Sequence, residues 1–437
     1  MLGWVKKERS SLSSTLYRSY VALLTTRLPD GTEFFGGVER DGFLYVPRYA
    51  DRSPVESRGG LSVGWGCTAP LRGSDDIAVW EALRAAHSGI IALACGKGKT
   101  VHSLRKVAHE KKKALIVVPT TDLALQWKEE ILRWMTIDGR PVLSEEVGFY
   151  GMGKLQTSTP VIISTYHTLS AKGLPSSVHK EIGIVIHDEA HHLQAPTWYQ
   201  CAGVGNHCRL ALSATPEDDN GVYRMWYKHF GKVLVDDRSH ERVPECFFVK
   251  YRTGLDIASC EAYDKTGELS IPMLYGVVGQ LEKRNLLIRK LIEDALGRDR
   301  KVLCLSSSKA HCSTVLSLLE EHSAGLCTGD VKSTSTRKKN LNESDVVLAT
   351  SALAKEGLDR KDLDTLVLMA PFVKKGMLTQ AAGRILRDMG KDPLIIVIED
   401  VDIPPFSHMT RKMKRIFKEL NYTVRTTERY IDGVGDL

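Results

Sequence analysis

The 437-residue sequence has no stretch approaching the roughly 20 apolar residues needed to cross a bilayer, which disfavours insertion into a membrane. Its first nine residues, which include Lys6, Lys7 and Arg9, contain no apolar segment after their charges, and this argues against a secretory signal. The nine cysteines include no C-x-x-C pair, so they resemble reduced, mostly buried thiols more than a metal site or a disulfide framework. We therefore expect a cytoplasmic protein.

Neither sign of charge dominates the composition. The net charge is +7, with 26% charged and 43% apolar residues, as in a soluble globular protein. An excess this mild is compatible with a polyanionic partner and equally with an ordinary solvated surface. The chain is too long for one ordinary core, so two or three domains are expected.

The chain is organised around the loop at residues 93–100, Leu-Ala-Cys-Gly-Lys-Gly-Lys-Thr, which lies between a strand-like and a helix-like stretch. Glycines here let backbone N–H groups close around phosphate oxygens, the second lysine can reach the terminal phosphates, and threonine can bind Mg²⁺. The strict phosphate-loop pattern requires glycine where Leu93 stands, so the loop alone could be an ordinary surface turn. The predicted nucleotide-binding residues are Cys95, Gly96, Lys97, Gly98, Lys99 and Thr100.

Strand-like and helix-like stretches alternate over most of the chain, which predicts an α/β fold with parallel sheets and helices on both faces. Ligands in such folds bind at the carboxyl ends of the strands. Helices are expected from Asp122 to Trp134 and over 310–321. The predicted strands are 89–94, 114–118, 160–165, 182–187 and 208–213, then 301–306, 345–349, 365–370 and 394–399.

The first 68 residues predict a separate β-rich module. Stretches 20–27, 32–39 and 43–49 are rich in aromatic and β-branched residues and predict an antiparallel meander. Its exposed groups could contact nucleic acid, or the module could be a structural cap on the next domain. These candidate contacts are Arg40, Arg48, Tyr49 and Arg52. The predicted organisation is a module over 1–68, an ATP-binding domain over 69–230, a connector over 231–280, and a second domain over 281–437 with a basic C-terminal tail.

The predicted strand 182–187 ends in His187-Asp188-Glu189-Ala190-His191-His192. Two acids at a strand end, downstream of a phosphate loop, fit metal-assisted phosphoryl transfer: Asp188 would hold Mg²⁺ and Glu189 would orient or deprotonate the attacking water. A zinc site at His187 and His191 is the alternative. It is disfavoured because the four-residue spacing binds zinc on a helix, with glutamate directly after the first histidine.

These motifs together resemble a superfamily 2 helicase of the DEAH-box type, with two tandem RecA-like motor domains, over roughly residues 69–400. The resemblance implies use of ATP and Mg²⁺ and binding of a nucleic-acid strand. The implied backbone contacts are Pro119, Thr120, Gln126, Ser164, Thr165, Thr350 and Ser351. The implied residues that couple hydrolysis to movement are His191, Ser213 and Thr215. In the second domain, the implied nucleotide contacts are Gly357 and Asp359, and the arginine-finger motif contributes Gln380, Arg384 and Arg387.

One departure from the family pattern concerns recognition of the base. Related helicases commonly carry L-R-x-x-Q ahead of the phosphate loop, and this chain has aspartate at the last position, Leu71-Arg72-Gly73-Ser74-Asp75. Arg72 and Asp75 are therefore candidate nucleotide contacts. Asp75 can accept a hydrogen bond from the adenine amino group but cannot donate one, so the sequence does not predict a strict preference for ATP.

Within the superfamily the chain resembles phage branch-migration helicases of the UvsW kind and, more distantly, XPB and RecG motors. That resemblance implies a monomer acting in the host cytoplasm on branched DNA, such as forks and Holliday junctions, in recombination, replication or repair. A double-strand translocase or an RNA helicase would share every motif, and a non-catalytic junction-binding protein with a nucleotide switch is a further alternative. The basic stretch 411–418 predicts a helix whose charged face is either solvated or in contact with a DNA backbone.

Overall fold

The structure is a computed structural model of the chain. It describes residues 4–28, 30–50, 59–94, 96–205, 207–217, 221–239, 242–331, 333–351, 360–386 and 390–427. The chain divides into two compact units, residues 1–239 and 240–437. Among the described residues, no helix is both long enough and apolar enough to cross a membrane.

The first unit is built on an eight-stranded sheet in the order β12-β11-β13-β8-β14-β15-β7-β16. All neighbouring strands are parallel except the hairpin of β11 and β12. Its elements are β6 (Trp65–Cys67), α2 (Ser74–Ala85), β7 (Gly89–Leu93), α3 (Lys99–Glu110), β8 (Ala114–Val118), α4 (Thr121–Trp134), β9 (Met135–Ile137), β10 (Arg140–Pro141), β11 (Val147–Gly151), β12 (Lys154–Leu155), β13 (Val161–Thr165), α5 (Tyr166–Lys172), α6 (Ser176–Glu181), β14 (Ile184–His187), α7 (Pro196–Tyr199), β15 (Cys208–Ser213), α8 (Tyr223–Phe230) and β16 (Val233–Asp237).

The central strands of this sheet are apolar on both faces because helices cover both sides. Every residue of β7, β8 and β15 is buried, and two hydrophobic clusters lie on opposite faces of the sheet. The five strands predicted for this domain are all present, within one or two residues of their expected ends. Their parallel order brings the carboxyl ends of β7, β8, β13, β14 and β15 to one edge.

The N-terminal module differs from the predicted meander. A helix occupies most of the first predicted strand, because Ser13 caps it by accepting a hydrogen bond from the Leu16 amide at 3.2 Å. The short strands form two small sheets, β1-β5-β4 and β2-β3, instead of one. The elements are β1 (Val5–Glu8), α1 (Ser14–Leu24), β2 (Thr25–Arg27), β3 (Glu33–Phe35), β4 (Val38–Arg40) and β5 (Phe43–Val46).

The module is joined to the rest of the first unit, which supports its role as a structural cap. The Trp4 ring packs edge-on against His229 at 4.4 Å, and the Tyr199 hydroxyl donates to the Gly36 carbonyl at 2.9 Å. Arg48 is buried and donates to the His207 carbonyl at 2.6 Å. The prediction of Arg48 as an exposed nucleic-acid contact is therefore wrong, because its buried guanidinium donates hydrogen bonds to main-chain carbonyls.

The second unit has a seven-stranded parallel sheet in the order β19-β20-β18-β21-β22-β17-β23. All four strands predicted for this domain are present. The elements are β17 (Glu245–Tyr251), α9 (Ile271–Val278), α10 (Glu282–Leu296), β18 (Val302–Ser306), α11 (Lys309–Ser317), β19 (Ala324–Cys327), α12 (Thr334–Glu343), β20 (Val346–Thr350), β21 (Thr365–Leu368), α13 (Lys375–Ile385), β22 (Leu394–Asp400), α14 (Pro404–Glu419) and β23 (Thr423–Thr426).

The chain crosses between the units at residues 239–240, inside the predicted connector 231–280, but that range is not a separate segment. Its start is β16, an edge strand of the first sheet, and β17 lies within the second sheet between β22 and β23. The predicted module over 1–68 is likewise part of the first unit and not separate from it.

Charged and polar side chains are also buried in the second unit. Arg284 and Asp400 are both fully buried and form a two-point ion pair, with N–O distances of 2.7 and 2.9 Å. His311 bridges two further polar side chains, because its Nδ1 lies 3.0 Å from Ser306 Oγ and its Nε2 lies 3.0 Å from Asn285 Oδ1. Burial lowers the pKa of His311 to about 3, so the ring is neutral near pH 7.

Glu110, the last residue of α3, lies between the side chains of Lys106 and His207. Its Oε1 is 2.5 Å from Lys106 Nζ, and its Oε2 is 3.5 Å from His207 Nε2. Burial alone would raise the pKa of Glu110, but hydrogen bonds from His207 and Lys106 outweigh it and lower the pKa from 4.5 to about 2. The folded state therefore favours the ionised carboxylate more than the unfolded state does.

We expect this carboxylate to make the first unit acid-sensitive. Its contribution, about 3 kcal/mol, is present above pH 4.5 and lost as the pH falls towards 2, because only the unfolded chain takes up the proton in that range. Urea unfolding at several pH values between 6 and 3, followed by tryptophan emission, measures it, since all seven tryptophans lie at positions 4–226. Glu110→Gln removes this titration, so its stability should fall less steeply with acid than that of the wild type. Equal pH slopes would contradict the assignment.

Candidate active site

The predicted phosphate loop connects β7 to α3 in the first unit. Gly96 and Gly98 both have positive φ, 84° and 73°, a conformation that glycine adopts without strain. Lys99 begins α3, and its ammonium donates to the carbonyls of Leu93 at 2.8 Å and Ala94 at 3.1 Å. The loop therefore curls around the lysine head group at the N-terminus of a helix, where anions are stabilised. Cys95 lies outside the described residues.

Lys97, the other lysine of the loop, is directed to the edge of the sheet. Its ammonium lies 2.5 Å from Asp237 Oδ2 and 3.3 Å from Ser239 Oγ, just beyond β16. The ion pair holds the loop against the end of the edge strand. Lys97 can therefore offer its main chain to a ligand, while its charge is already paired.

Asp188 follows β14, and its carboxylate is buried. Its Oδ2 accepts a hydrogen bond from Trp127 Nε1 at 2.7 Å, and its carbonyl accepts one from the Tyr166 hydroxyl at 2.9 Å. Burial raises the pKa of Asp188, while the Trp127 hydrogen bond and the nearby charge of Lys99 act in the opposite direction. The charge of Lys99 acts on the Asp188 carboxylate, so the phosphate-loop lysine and this acid lie near each other.

Glu189 adopts a left-handed backbone conformation, with φ 47° and ψ 49°. This conformation is uncommon for a residue with a side chain and is found disproportionately at functional sites. The carboxylate is mostly buried and lies 3.3 Å from His191 Nδ1. The backbone turn thus directs two successive carboxylates, Asp188 and Glu189, to different surroundings at the end of one strand.

The three predicted coupling residues lie together. His191 Nδ1 is 3.2 Å from Ser213 Oγ at the end of β15, and the same hydroxyl accepts a hydrogen bond from the Thr215 amide at 3.0 Å. His191 also contacts Glu189, so the acid that follows β14 is linked to the loop that follows β15. Side-chain contacts therefore connect the carboxyl ends of the neighbouring strands β14 and β15.

The geometry disagrees with a zinc site at these histidines. His187 is fully buried on β14, stacked on Tyr166 and edge-on to Phe230, whereas His191 faces Ser213. Burial lowers the pKa of His187 to about 3. No group of three or more potential metal-ligating side chains is found within the described ranges.

Asp76, the neighbour of the predicted nucleotide contact Asp75, contacts residues on both sides of the phosphate loop. Its Oδ2 accepts from the Arg72 amide at 2.7 Å and from Arg72 Nε at 3.2 Å, and its Oδ1 is 3.2 Å from His102 on α3. A Cβ at Gly98 would lie 2.9 Å from Arg72 Nη2, so the arginine is held beside the phosphate loop. Asp75 is exposed in the first turn of α2. No sequence signal separates the two aspartates, because the choice depends on packing against α3.

The predicted nucleic-acid contacts of the first unit lie at the carboxyl ends of β8 and β13. Thr120 and Thr165 cap α4 and α5 by accepting hydrogen bonds from Leu123 at 3.3 Å and Thr168 at 3.2 Å. Pro119 and Gln126 are partly exposed. Ser164 is buried, and its hydroxyl donates to the Tyr150 carbonyl at 2.8 Å. The Ser164 side chain therefore supports the sheet and is not presented to a ligand.

In the second unit, Thr350 and Ser351 lie at the end of β20, and Gln380 and Arg384 are buried on α13. Gln380 Oε1 is buried and has no hydrogen-bond partner among the residues that the structure describes. Three other predicted residues, Gly357, Asp359 and Arg387, lie outside those residues.

Comparison with protein families supports the assignment made from the motifs. Residues 73–218 match the family described as "Type III restriction enzyme, res subunit", and residues 282–389 match the "Helicase conserved C-terminal domain". The first match contains the phosphate loop and the two acids, and the second contains Thr350, Ser351, Gln380 and Arg384. Together they cover more than half of the chain.

Curated relatives are distant. The chain is 24% identical to a putative ATP-dependent RNA helicase, L396, of Acanthamoeba polyphaga mimivirus, with 77% of this chain and 65% of that one aligned. It is 25% identical to the DNA 3'-5' translocase XPB2 of Sulfurisphaera tokodaii (71% and 77%) and 23% identical to the ATP-dependent DNA helicase uvsW of Enterobacteria phage T4 (73% and 66%). The chain thus spans about two thirds to three quarters of the length of these relatives.

A likeness to solved structures concerns the fold alone. The structure of S. cerevisiae Dbp5 bound to RNA and ADP BeF3 aligns with a TM-score of 0.56 at 14% identity, over 80% of this chain and 86% of that one. It confirms the predicted fold of two RecA-like parallel sheets. The family matches, their order and the motifs agree, and the chain therefore belongs to the superfamily 2 helicases.

Proposed function

We propose that the chain is an ATP-dependent DNA helicase that hydrolyses ATP at the end of β7 and β14 and acts on branched DNA. One observation carries the ATP-hydrolysing part: the phosphate-loop lysine, a buried aspartate and a mostly buried glutamate converge at one sheet edge. A module that only bound nucleotide would not require the glutamate.

The residues present fit a Mg²⁺ ion. Asp188 offers a buried carboxylate, and Thr100 offers a hydroxyl in the first turn of α3, both oxygen ligands of the kind Mg²⁺ prefers. When bound, Mg²⁺ would neutralise charge on the β- and γ-phosphates. Lys99 would pair with the same phosphates, and the amides at Gly96 and Gly98 would donate to their oxygens. Glu189 would orient the attacking water and accept its proton at the carboxylate.

Trp127 positions the proposed metal ligand, and its contribution can be measured. Trp127→Phe keeps an aromatic ring in the core but removes the N–H that Asp188 Oδ2 accepts. We expect the Mg²⁺ concentration for half-maximal ATP hydrolysis to rise about tenfold or more, because partners of ligating carboxylates typically contribute 10–100-fold. Trp134→Phe on the same helix is the matched control, since its N–H bonds to Glu130. Equal Mg²⁺ dependence in the two variants would show that the hydrogen bond does not support metal binding.

The proposed roles of the second unit rest on its motifs. Arg384 and Arg387 would neutralise charge on the transferring phosphoryl group, as an arginine finger does. Gln380 and the residues of the motif at 349–359 would add contacts to nucleotide and nucleic acid. Gln380 Oε1 supports this, because a buried polar atom with no partner among the described residues needs an explanation, and a functional role is one such explanation.

Branched DNA is proposed on the resemblance to UvsW-like helicases, and the names of two relatives, a DNA translocase and a DNA helicase, support DNA. An RNA helicase is favoured by one relative's name, and a translocase on linear duplex by another. All three share the motor chemistry, so they differ only in the nucleic acid that stimulates hydrolysis.

The deciding experiment measures steady-state ATP hydrolysis alone and with single-stranded DNA, linear duplex, a four-way junction and structured RNA. Strand separation is followed on the same substrates. Stimulation and unwinding confined to the junction are expected. Equal stimulation by linear duplex without unwinding would indicate a translocase, and preference for RNA would overturn the choice of substrate. Nucleotide binding without ATP hydrolysis on any of these substrates would overturn the proposal that the chain is an ATP-hydrolysing enzyme.

A further inference from the structure

Helix α14 (Pro404–Glu419) separates its side chains sharply into two faces. Phe406, Met413 and Phe417 are fully buried and pack against the rest of the second unit. The opposite face carries exposed cations at helical spacing, namely Arg411, Lys412, Arg415 and Lys418, here called the basic stripe. Arg411, Arg415 and Lys418 fall on one side of the helix, spread over about 10 Å at a rise of 1.5 Å per residue.

The basic stripe has no acidic partner among the residues that the structure describes. No ion pair joins any of its four side chains to a described residue, and the one polar contact of these side chains is Arg411 Nε to the Ser407 carbonyl at 3.3 Å. Lys414, on the flank of the same helix, is paired with Glu399 at 2.7 Å. The cation directed towards the sheet is therefore paired with a carboxylate, whereas the solvent-facing cations are not paired with any described residue.

Helix α10 of the same unit shows what an ordinary solvated face looks like in this protein. It mixes Glu282, Glu293 and Asp294 with its cations, and Arg289 pairs with Glu293 one turn away at 2.7 Å. Opposite charges that alternate along an exposed helix stabilise it, whereas like charges one turn apart destabilise it. Between Pro404 and Lys418, α14 has no acid at all.

We propose that the basic stripe of α14 is a docking surface for the phosphate backbone of nucleic acid, outside the motor motifs. This inference rests on the proposed function for its choice of polyanion. An unpaired row of cations attracts a polyanion and releases its counterions on binding. A membrane surface fits less well, because peripheral helices insert an apolar face and the apolar face of α14 is already buried in the protein.

The test compares two triple charge reversals in the full chain. The first variant reverses the charge of the stripe at three positions, by Arg411→Glu, Arg415→Glu and Lys418→Glu. The control, Lys283→Glu, Arg298→Glu and Lys361→Glu, changes the net charge equally at exposed positions of the same unit. Binding of a fluorescein-labelled 30-base-pair duplex and of a four-way junction is followed by anisotropy between 50 and 300 mM KCl.

We expect the stripe variant to bind at least tenfold more weakly than the control at 100 mM KCl. The slope of log affinity against log salt should fall by about two to three, since each phosphate contact contributes about 0.9. Its basal ATP hydrolysis should equal that of the control. A third variant neutralises the same positions by Arg411→Gln, Arg415→Gln and Lys418→Gln. It should also bind DNA more weakly than the control, with a smaller loss of affinity than the charge reversal. It replaces the charge-reversal variant if that variant does not fold.

Two results would overturn the inference. One is an affinity and a salt slope equal to those of the control. The other is unchanged DNA binding with loss of binding to phosphatidylserine vesicles, which would assign the stripe to membranes. Failure of the proposed function looks different: the wild type would bind DNA through the stripe but show no stimulation of ATP hydrolysis.

Discussion

Glu189→Gln is expected to reduce nucleic-acid-stimulated ATP hydrolysis by at least a hundredfold while leaving ATP binding intact. General-base catalysis typically contributes 10²–10⁴-fold, and an amide cannot accept the proton. The substitution keeps the size of the side chain and a hydrogen-bond acceptor towards His191, so the left-handed turn at 189 should persist. Turnover by a coupled assay and ATP binding by a fluorescent analogue give the two readouts.

The control is Glu33→Gln, the same chemical change at an exposed strand residue of the first unit. It should hydrolyse ATP like the wild type. Normal turnover of Glu189→Gln would refute Glu189 as the base and leave a nucleotide switch as the better description. Loss of ATP binding as well would instead show that the Glu189 carboxylate stabilises the nucleotide-binding site and does not act on the attacking water.

Asp400→Asn should lower the stability of the second unit by roughly 3–5 kcal/mol. Both members of the Arg284–Asp400 pair are fully buried, so the neutral amide leaves a guanidinium charge uncompensated away from water. The double change Arg284→Met with Asp400→Leu should recover much of the loss, because it removes both charges together. Asp330→Asn is the matched control, since it breaks an exposed pair with Lys309 and should cost under about 1 kcal/mol.

The positions of the tryptophans allow an experiment to assign this loss of stability to the second unit. Tryptophan emission reports on the first unit, whereas far-ultraviolet circular dichroism reports on both. Asp400→Asn should therefore shift a urea transition seen by circular dichroism and leave the emission transition in place. A shift of less than about 1 kcal/mol would mean that water or another side chain compensates Arg284.

The sequence predicted several of the parallel strands that are buried on both faces, although it missed β11. β8, β13 and β15 are such apolar runs, and their ends were predicted within a residue. β16 was missed because it is a half-exposed edge strand ending in two aspartates. α1 was misread because its tyrosines and valine favour a strand locally, while the Ser13 cap and the packing of Tyr20 and Leu24 favour a helix.

The candidate site was predictable where one short motif contains the chemistry, as at Lys99, Asp188 and Glu189. It was not predictable where two distant segments meet. Trp127 reaches Asp188 across 61 positions and Lys97 reaches Asp237 across 140, and neither pair leaves a local pattern. Arg48 was misassigned for the same reason, because an arginine satisfied by main-chain carbonyls reads like any exposed arginine in the sequence.

The docking of the N-terminal module on Tyr199, His207 and His229 has a consequence for synthesis on the ribosome. The module is translated before the segment on which it docks, because Arg48 meets its carbonyl partner 159 residues later in the chain. At 5–20 residues per second, the nascent module waits about 10–30 s before its docking surface emerges. During that interval the Trp4 ring has no surface to pack against, so the exposed nascent segment is a natural binding site for chaperones.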